Sequence, residues 1–391
     1  MRHIFFIIFI LFISSVATAQ EQYQWVLTQL EQNSTSFLLL QHSKDAQEAA
    51  ALSVPLLDNP VVDFGYYRGA PDETGNRHDL SVQQQFDFPT AYRHRLTLRR
   101  LRQQASGLEY RLARMALRYE TQQLCSDLVY YNRYIALYRQ RMVNAEGVAR
   151  LYEKKLAAGE CGILDYNRAQ TVLTTIQNNL LLAQTERDML QDNLTTLNGG
   201  TPLSFMQDTF ATASLPLCFE TWYNEVKTNA AELQQLDNQV DMQEQEARLS
   251  SALRLPKLAV GYADEITVGS TFRGATLGIT LPIWNTREAK AAQLQASVAK
   301  QSREVYERRC HTRLLGLYNK ATTLRQNLIN MQLTRQQYNS DNLLLKAFTT
   351  GELSLGDYLQ QEQFYLDYKL SLLETQHELD VILLQLYKIC L

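Results

Sequence analysis

In the tract that follows residue 89, apolar residues recur at alternating spacings of four and three. Leu101, Ala105, Leu108, Leu112, Met115 and Tyr119 form one such run, the heptad seam of a helix that packs against other helices. Two regions change to a period of two. Over 59–89, NPVVDFGYYRG leads through a polar GAPDETGNRH stretch into DLSVQQQFDFP; over 256–284, PKLAVGYADE leads through ITVGSTFRG into ATLGITLPIW. Leu80, Val82, Gln84, Phe86 and Phe88 share one face there, and Ser81, Gln83, Gln85 and Asp87 the other. Ala275, Leu277, Ile279, Leu281 and Ile283 likewise oppose Thr276, Gly278 and Thr280. Such alternation predicts strands with one apolar face and one small or polar face. The edge of an ordinary soluble sheet and the wall of a barrel both fit it.

The breakers divide the chain in the same places. The prolines are Pro55, Pro60, Pro71, Pro89, Pro202, Pro216, Pro256 and Pro282, so the tracts from Pro89 to Pro202 and from Pro282 onward are free of them. A helix-interior proline costs about 3 kcal/mol or more, and tracts this long without one predict very long helices. Each tract is interrupted once, by similar segments: KLAAGECGILDYNRAQ (155–170) and KAFTTGELSLGDYLQQ (346–361). Gly159-Glu160 and Gly351-Glu352 correspond, and Asp165-Tyr166 and Asp357-Tyr358 follow each glycine at the same distance. Glycine suits a helix C-cap and the aspartate suits the first turn of the next helix, so each segment reads as the tip of a helical hairpin. Plain capping accounts for those residues without any partner; a docking tip accounts for them equally.

The chain thus parses twice as helix, strand, strand, long helix, tip, helix. The spans are 22–54, 59–69, 78–89, 90–157 and 163–198, then 218–254, 256–266, 271–284, 285–348 and 354–389. A helix over 90–157 is roughly 100 Å long at 1.5 Å per residue. The two shorter helices of that half, end to end, match it. The expected architecture is a layer of helices with a strand pair at one end and tips at the other.

Composition adds an address and removes several function classes. Arg2, the apolar run Ile4 to Ile13 and the small-residue site Ala17-Thr18-Ala19 predict a signal peptide over 1–19,. Ten apolar residues are too few to span a bilayer, and no later segment approaches the required twenty or so. An exported soluble protein and a β-barrel remain. The formal net charge of -3 gives no basic face for nucleic acid,. Five cysteines (Cys125, Cys161, Cys218, Cys310, Cys390) stand far apart, without metal-type spacing, and read mainly as small buried apolar residues,. The six histidines do not cluster and no nucleophile, phosphate-loop or zinc motif occurs,. No catalytic residue, metal ligand or cofactor is therefore expected, and the chain does not read as an enzyme.

Taken together, the two tips, the strand pair after each N-terminal helix and the duplication resemble the TolC-like outer-membrane efflux proteins over essentially the whole mature chain. NPVVDFGY and QQFDFPTAY look closest to members of the CusC and CzcC type, which serve heavy-metal and cation efflux. The resemblance implies a mainly α fold with a small β part: long antiparallel helical hairpins forming a helical barrel, plus four strands per chain. Three chains would close a twelve-stranded transmembrane β-barrel. It divides the chain into the signal peptide 1–19, a first repeat 20–198, a linker 199–217 and a second repeat 218–391, the repeats intertwined in one domain.

The same resemblance implies a homotrimer in the outer membrane of a Gram-negative bacterium, extending into the periplasm. Such a trimer would conduct metal cations or drugs passively from a periplasmic adaptor and an inner-membrane pump, the RND type among the candidates. Outer-membrane lipid surrounds it, and no nucleic acid is a partner. The implied adaptor-docking residues are Gly159, Glu160, Ile163, Leu164, Asp165, Gly351, Glu352, Leu355 and Asp357. Asp357 and Gln360 would stand at the pore constriction, with a neutral residue at a position often acidic in the family. Ser81, Gln83, Gln85, Asp87, Thr276 and Thr280 would line the barrel lumen. Phe348 and Leu353 stand where other members carry polar links between tips, so closure is expected to rest on apolar packing. A soluble periplasmic coiled-coil adaptor or structural protein is the alternative; it would have one hairpin and compact β domains.

Overall fold

The computed structural model describes residues 23–53, 55–71, 75–211, 213–282, 286–338 and 340–390. The expected signal peptide, part of the first polar strand connection (72–74) and Ile283 lie outside them. A helix over 23–33 (α1) is followed by α2 (Thr35–Ser53), β1 (Val61–Arg68), β2 (Asn76–Phe86), α3 (Pro89–Ala157) and α4 (Ile163–Leu197). After a link come α5 (Phe219–Lys227), α6 (Ala231–Ala252), β3 (Lys257–Thr267), β4 (Ser270–Thr280), α7 (Thr286–Gln337), α8 (Asp341–Thr349) and α9 (Leu355–Tyr387). The fold is mainly helical, with one small antiparallel sheet in the order β1-β2-β3-β4. Helix α3 runs unbroken for 69 residues. Pro89 opens it, where a missing N–H costs nothing.

Three helices expected to be continuous are broken, the first two where side chains take over backbone groups. Ser34 N–H closes α1 on Leu30 O at 2.9 Å, and its hydroxyl accepts from Ser36 N–H at 3.2 Å. Between α5 and α6 the freed carbonyls of Thr228 and Asn229 accept from Gln234 Nε2 and Arg111 Nη2. The third break follows Gln337; Ser340 O then accepts from Leu343 and Leu344 N–H to begin α8.

The sheet register sorts most side chains by face, because paired residues stand on one face. Exceptions are the Asp264–Arg273 ion pair, in line with Phe64 and Leu80 on the apolar face, and Val61 and Phe272 on the other. Val62, Val82, Tyr262 and Ala275 align, as do Gln84, Val260 and Leu277, and Phe86, Leu258 and Ile279. These make the apolar face. On the other face Asp63, Ser81, Ala263 and Gly274 align, then Gln83, Gly261 and Thr276, then Gln85, Ala259 and Gly278. Asp87 does not belong there. The strand ends at Phe86, and Asp87 turns inward, buried, to pair with Arg95 and with Lys257 Nζ at 3.1 Å. Its N–H donates to Tyr92 Oη at 2.8 Å. Asp87 therefore ties the β2–α3 junction together rather than lining a lumen.

The chain divides into two compact units. The sheet unit comprises Leu40–Leu112 and Lys227–Cys310; the tip unit comprises the chain up to Leu39, Ala113–Val226 and His311 onward. In the tip unit, large side chains fill a core: Tyr23, Val26, Leu30, Leu128, Leu194 and Phe205 pack together. The 199–217 link is fastened to this unit by side chains that reach its backbone. Asn132 donates to Gln207 O at 2.8 Å, Tyr318 Oη donates to Pro216 O at 3.2 Å, and Gln191 Oε1 accepts from Phe205 N–H at 3.2 Å. In the sheet unit, by contrast, most buried apolar residues are alanines such as Ala51, Ala91, Ala247, Ala252 and Ala296. The large side chains of its sheet remain uncovered: Phe64 is 70% exposed and Leu277 84%. Among the described residues no disulfide joins the cysteines. Cys125 and Cys310 are buried and Cys161 is half-buried, whereas Cys218 and Cys390 are exposed, so the reading of the cysteines as mainly buried holds for only part of the set.

Asp87→Ala leaves Arg95 and Lys257 facing each other without the shared carboxylate. Breaking a buried pair costs about 3 kcal/mol, so the variant should show a clearly lowered thermal midpoint. Asp79→Asn, on an exposed pair with Arg77, should leave that midpoint in place.

Candidate functional site

The two tips are built by one backbone recipe. At the first, Ala158, Gly159 and Glu160 N–H donate to the carbonyls of Lys154, Leu156 and Lys155; at the second, Thr350, Gly351 and Glu352 N–H donate to those of Lys346, Phe348 and Ala347. This is the reversed hydrogen-bond pattern that ends a helix on a left-handed residue. Gly159 (φ 74) and Gly351 (φ 82) supply it. The following helix starts with an extended N-cap in both cases, Gly162 before α4 and Ser354 before α9.

Beyond the backbone the tips differ. Ser354 Oγ accepts from Asp357 N–H at 3.2 Å and donates to Asp357 Oδ2 at 2.7 Å, a closed capping pair. Gly162 offers no such cap. Asp165 and Asp357 both sit in the first turn of their helices, exposed, as do Glu160 and Glu352 in the turns before them. Ile163 is 54% and Leu164 80% exposed. Leu355, which corresponds to Ile163, is buried at 3% in a cluster with Val148, Tyr152, Ala169, Phe348 and Tyr358. It is thereby removed from the set of surface positions. Gln360 is exposed one turn beyond Asp357.

Phe348 also lies inside, stacked on Tyr358 with ring centroids 4.3 Å apart. It packs its own hairpin and is unavailable to a neighbouring tip. Behind it stands a polar link that the sequence reading missed. Arg141 on α3 pairs with Glu362 on α9 at 3.4 Å and donates to Gln363 Oε1 at 2.8 Å, while Tyr358 Oη donates to Glu362 at 3.3 Å. Burial pushes the Glu362 carboxyl up and Arg141 opposes that shift. A cavity of about 100 Å³ adjoins the pair, lined in part by Leu344, Tyr365 and Lys369.

In the sheet unit, Ser81, Gln83, Gln85, Thr276 and Thr280 share the small, polar face; Gln85 Nε2 reaches Thr280 Oγ1 at 3.5 Å. The register adds Asp63 to that face, and Tyr67, Arg77, Asp79 and Glu265 nearer the turns. Arg77 bridges Asp79 at 2.7 Å and Glu265 at 3.2 Å, with its guanidinium 5.6 Å from the Tyr67 ring centre. Extending the alternation two and four residues back from Ser81 would have found Asp79 and Arg77. Among the described residues no group of His, Cys, Asp and Glu is arranged to hold a metal ion, and no helix is long and apolar enough to cross a membrane.

The unequal caps have measurable consequences. Ser354→Ala should destabilise the second tip by about 1 kcal/mol, and Gly162→Ser should stabilise the first by several tenths or more. Hydrogen exchange of the first-turn amides of α9 and α4 reads both: faster in the first variant, slower in the second.

No protein-family model matches the chain, and no curated protein does. Solved structures do. The CmeC outer membrane channel of Campylobacter jejuni is 17% identical with a TM-score of 0.79, covering 94% of this chain and 85% of its own. The outer membrane protein VceC from Vibrio cholerae is 14% identical with a TM-score of 0.77, covering 95% and 97%. CusC, described in terms of folding and transmembrane channel formation, is 13% identical with a TM-score of 0.73, covering 94% and 92%. These similar proteins are described as an outer membrane channel, an outer membrane protein and a protein that forms a transmembrane channel. The chain has the fold of the TolC-like outer-membrane channels, the architecture that its two tips and alternating strand pairs imply.

Proposed function

We propose that this chain is the exit duct of a tripartite efflux system, a passive channel in the outer membrane of a Gram-negative bacterium that extends into the periplasm. The uncovered apolar face of the sheet carries the reading. Fully burying a large apolar side chain stabilises by about 1.5–3 kcal/mol, and this face presents a row of them with only an alanine-lined layer in its own unit. β1 and β4 are also open edges, with unpaired backbone groups along their outer sides,. Lipid would match the apolar face, and three copies joined edge to edge would close a twelve-stranded barrel with no edges left.

The small face then borders water, with Ser81, Gln83, Gln85, Thr276 and Thr280 in the lumen. The tips are the contact point for a periplasmic adaptor, which in turn holds an inner-membrane pump, an RND-type pump among the candidates. Exposed Ile163 and Leu164 offer the adaptor an apolar knob, flanked by Gly159, Glu160 and Asp165, with Gly351 and Glu352 on the second tip. Threefold repetition of Asp357 would place three carboxylates in one ring, an arrangement that favours cations. Gln360 keeps that ring single. Metal cations and cationic drugs are the substrates this chemistry suits.

Outer membranes extracted in mild detergent should yield a species of three times the mature chain mass, precipitating when detergent is removed. A monomer or dimer that stays soluble without detergent would sink the duct and leave a soluble periplasmic coiled-coil protein. Reconstituted in planar bilayers, Asp357→Asn should reduce the preference for cations in a salt gradient while the trimer persists. An unchanged reversal potential would remove Asp357 from the constriction.

A further inference from the structure

A polar seam runs through the otherwise apolar core of the tip unit. Ser126 and Asp127 are neighbours on α3; His377 and Asp380 lie one turn apart on α9. They meet as two rungs. Ser126 Oγ donates to Asp380 Oδ2 at 2.6 Å, and His377 Nε2 stands 2.7 Å from Asp127 Oδ1. Asp380 is 2% exposed and Ser126 is fully buried. From α1, Tyr23 closes the pocket; it is buried too, and its hydroxyl has no hydrogen-bond partner among the described residues. The titratable groups around Asp380 are thus Tyr23 from α1, Cys125 and Asp127 from α3, and His377 from α9.

An ionised carboxylate wants several donors, and Asp380 has one hydroxyl,. No lysine or arginine is among the groups acting on it, and Asp127 adds a second negative charge nearby. Burial therefore pushes the Asp380 carboxyl up to about 6, with the Ser126 hydroxyl and His377 opposing. An apolar side chain here would pack at least as well. What an acid adds is a response to protons.

We propose that the two rungs form a proton-operated clasp between α3 and α9, closed while Asp380 carries a proton and loosened when it is ionised. The clasp lies within one chain and does not depend on the exit-duct reading. It stands roughly 35 Å along α9 from Asp357, at 1.5 Å per residue. It thus acts on the helix–helix seam and leaves the turn at the tip alone. The sign follows from linkage. The folded-state value lies above the ordinary 3.8 of an aspartate, so the stabilisation is complete below about pH 4 and is lost as pH rises through about 6.

The test uses the full chain in detergent. Hydrogen exchange of 373–387 is compared at pH 4.5 and pH 8 after correction for intrinsic rates, with α4 amides as control. Local opening should be roughly 30-fold more frequent at pH 8 in the native protein and nearly pH-independent in Asp380→Asn, whose carboxamide still accepts from Ser126. An infrared difference between the native protein and Asp380→Asn gives a second reading. It should show the carbonyl band of a buried protonated acid, fading with a midpoint near pH 6. Equal pH ratios in the two proteins, or a band that has vanished by pH 4.5, would overturn the clasp.

Discussion

The four-stranded sheet sets the terms for the rest of the molecule, because its own unit cannot cover it. One face presents Phe64, Leu80, Val82, Leu277 and Ile279, and both edges leave backbone donors and acceptors open. A helix satisfies its backbone internally; an open sheet cannot. The adjoining helices are lined with alanine at their buried positions, which brings backbones close but removes little apolar surface from water. The requirement for something beyond this chain is therefore built into the sheet unit. The tip unit, with its large aromatic and aliphatic core, is self-sufficient by comparison.

That division of labour also explains where polar groups are spent inside the protein. The tip unit can hold Arg141 against Glu362 and Asp380 against Ser126 because enough apolar packing surrounds them to offset their desolvation,. Among the described residues of the sheet unit the buried charge is Asp87, and it is placed where a strand must turn into a 69-residue helix. Each buried carboxylate sits at a joint between elements: β2 with α3, α3 with α9 near the tips, and α3 with α9 deeper in the core.

Much of this was legible before any coordinates. Period-two alternation located all four strands, and the recurrence of Gly and Asp-Tyr located both tips. These signals are local, since a positive-φ glycine and a pleated strand leave a mark in a few consecutive residues. What escaped notice depends on partners far away in sequence. Ser34 reads as one more polar residue in a helix until its hydroxyl is seen capping α2. Leu355 and Ile163 occupy equivalent positions, yet only one is covered, because Phe348 and Tyr152 happen to stand over it. Asp380 was the most accessible of the omissions. It stands in the run Leu379-Asp380-Val381-Ile382-Leu383, where a lone acid among core residues is conspicuous.

The pairing of β2 with β3 has a consequence for how the chain comes together. His78 faces Ile266 and Phe86 faces Leu258 across that ladder, so nearly half the sequence separates the two strands. The β1–β2 ribbon must therefore wait, with one edge unsatisfied, while α3, α4, the link, α5 and α6 follow it in the chain. Loop closure over such a distance is slow, and a waiting apolar ribbon invites pairing with the wrong strand. During biogenesis, the hazard for this protein is concentrated in the interval before residue 267 arrives. A holding factor that recognises extended apolar segments would be needed most at that stage.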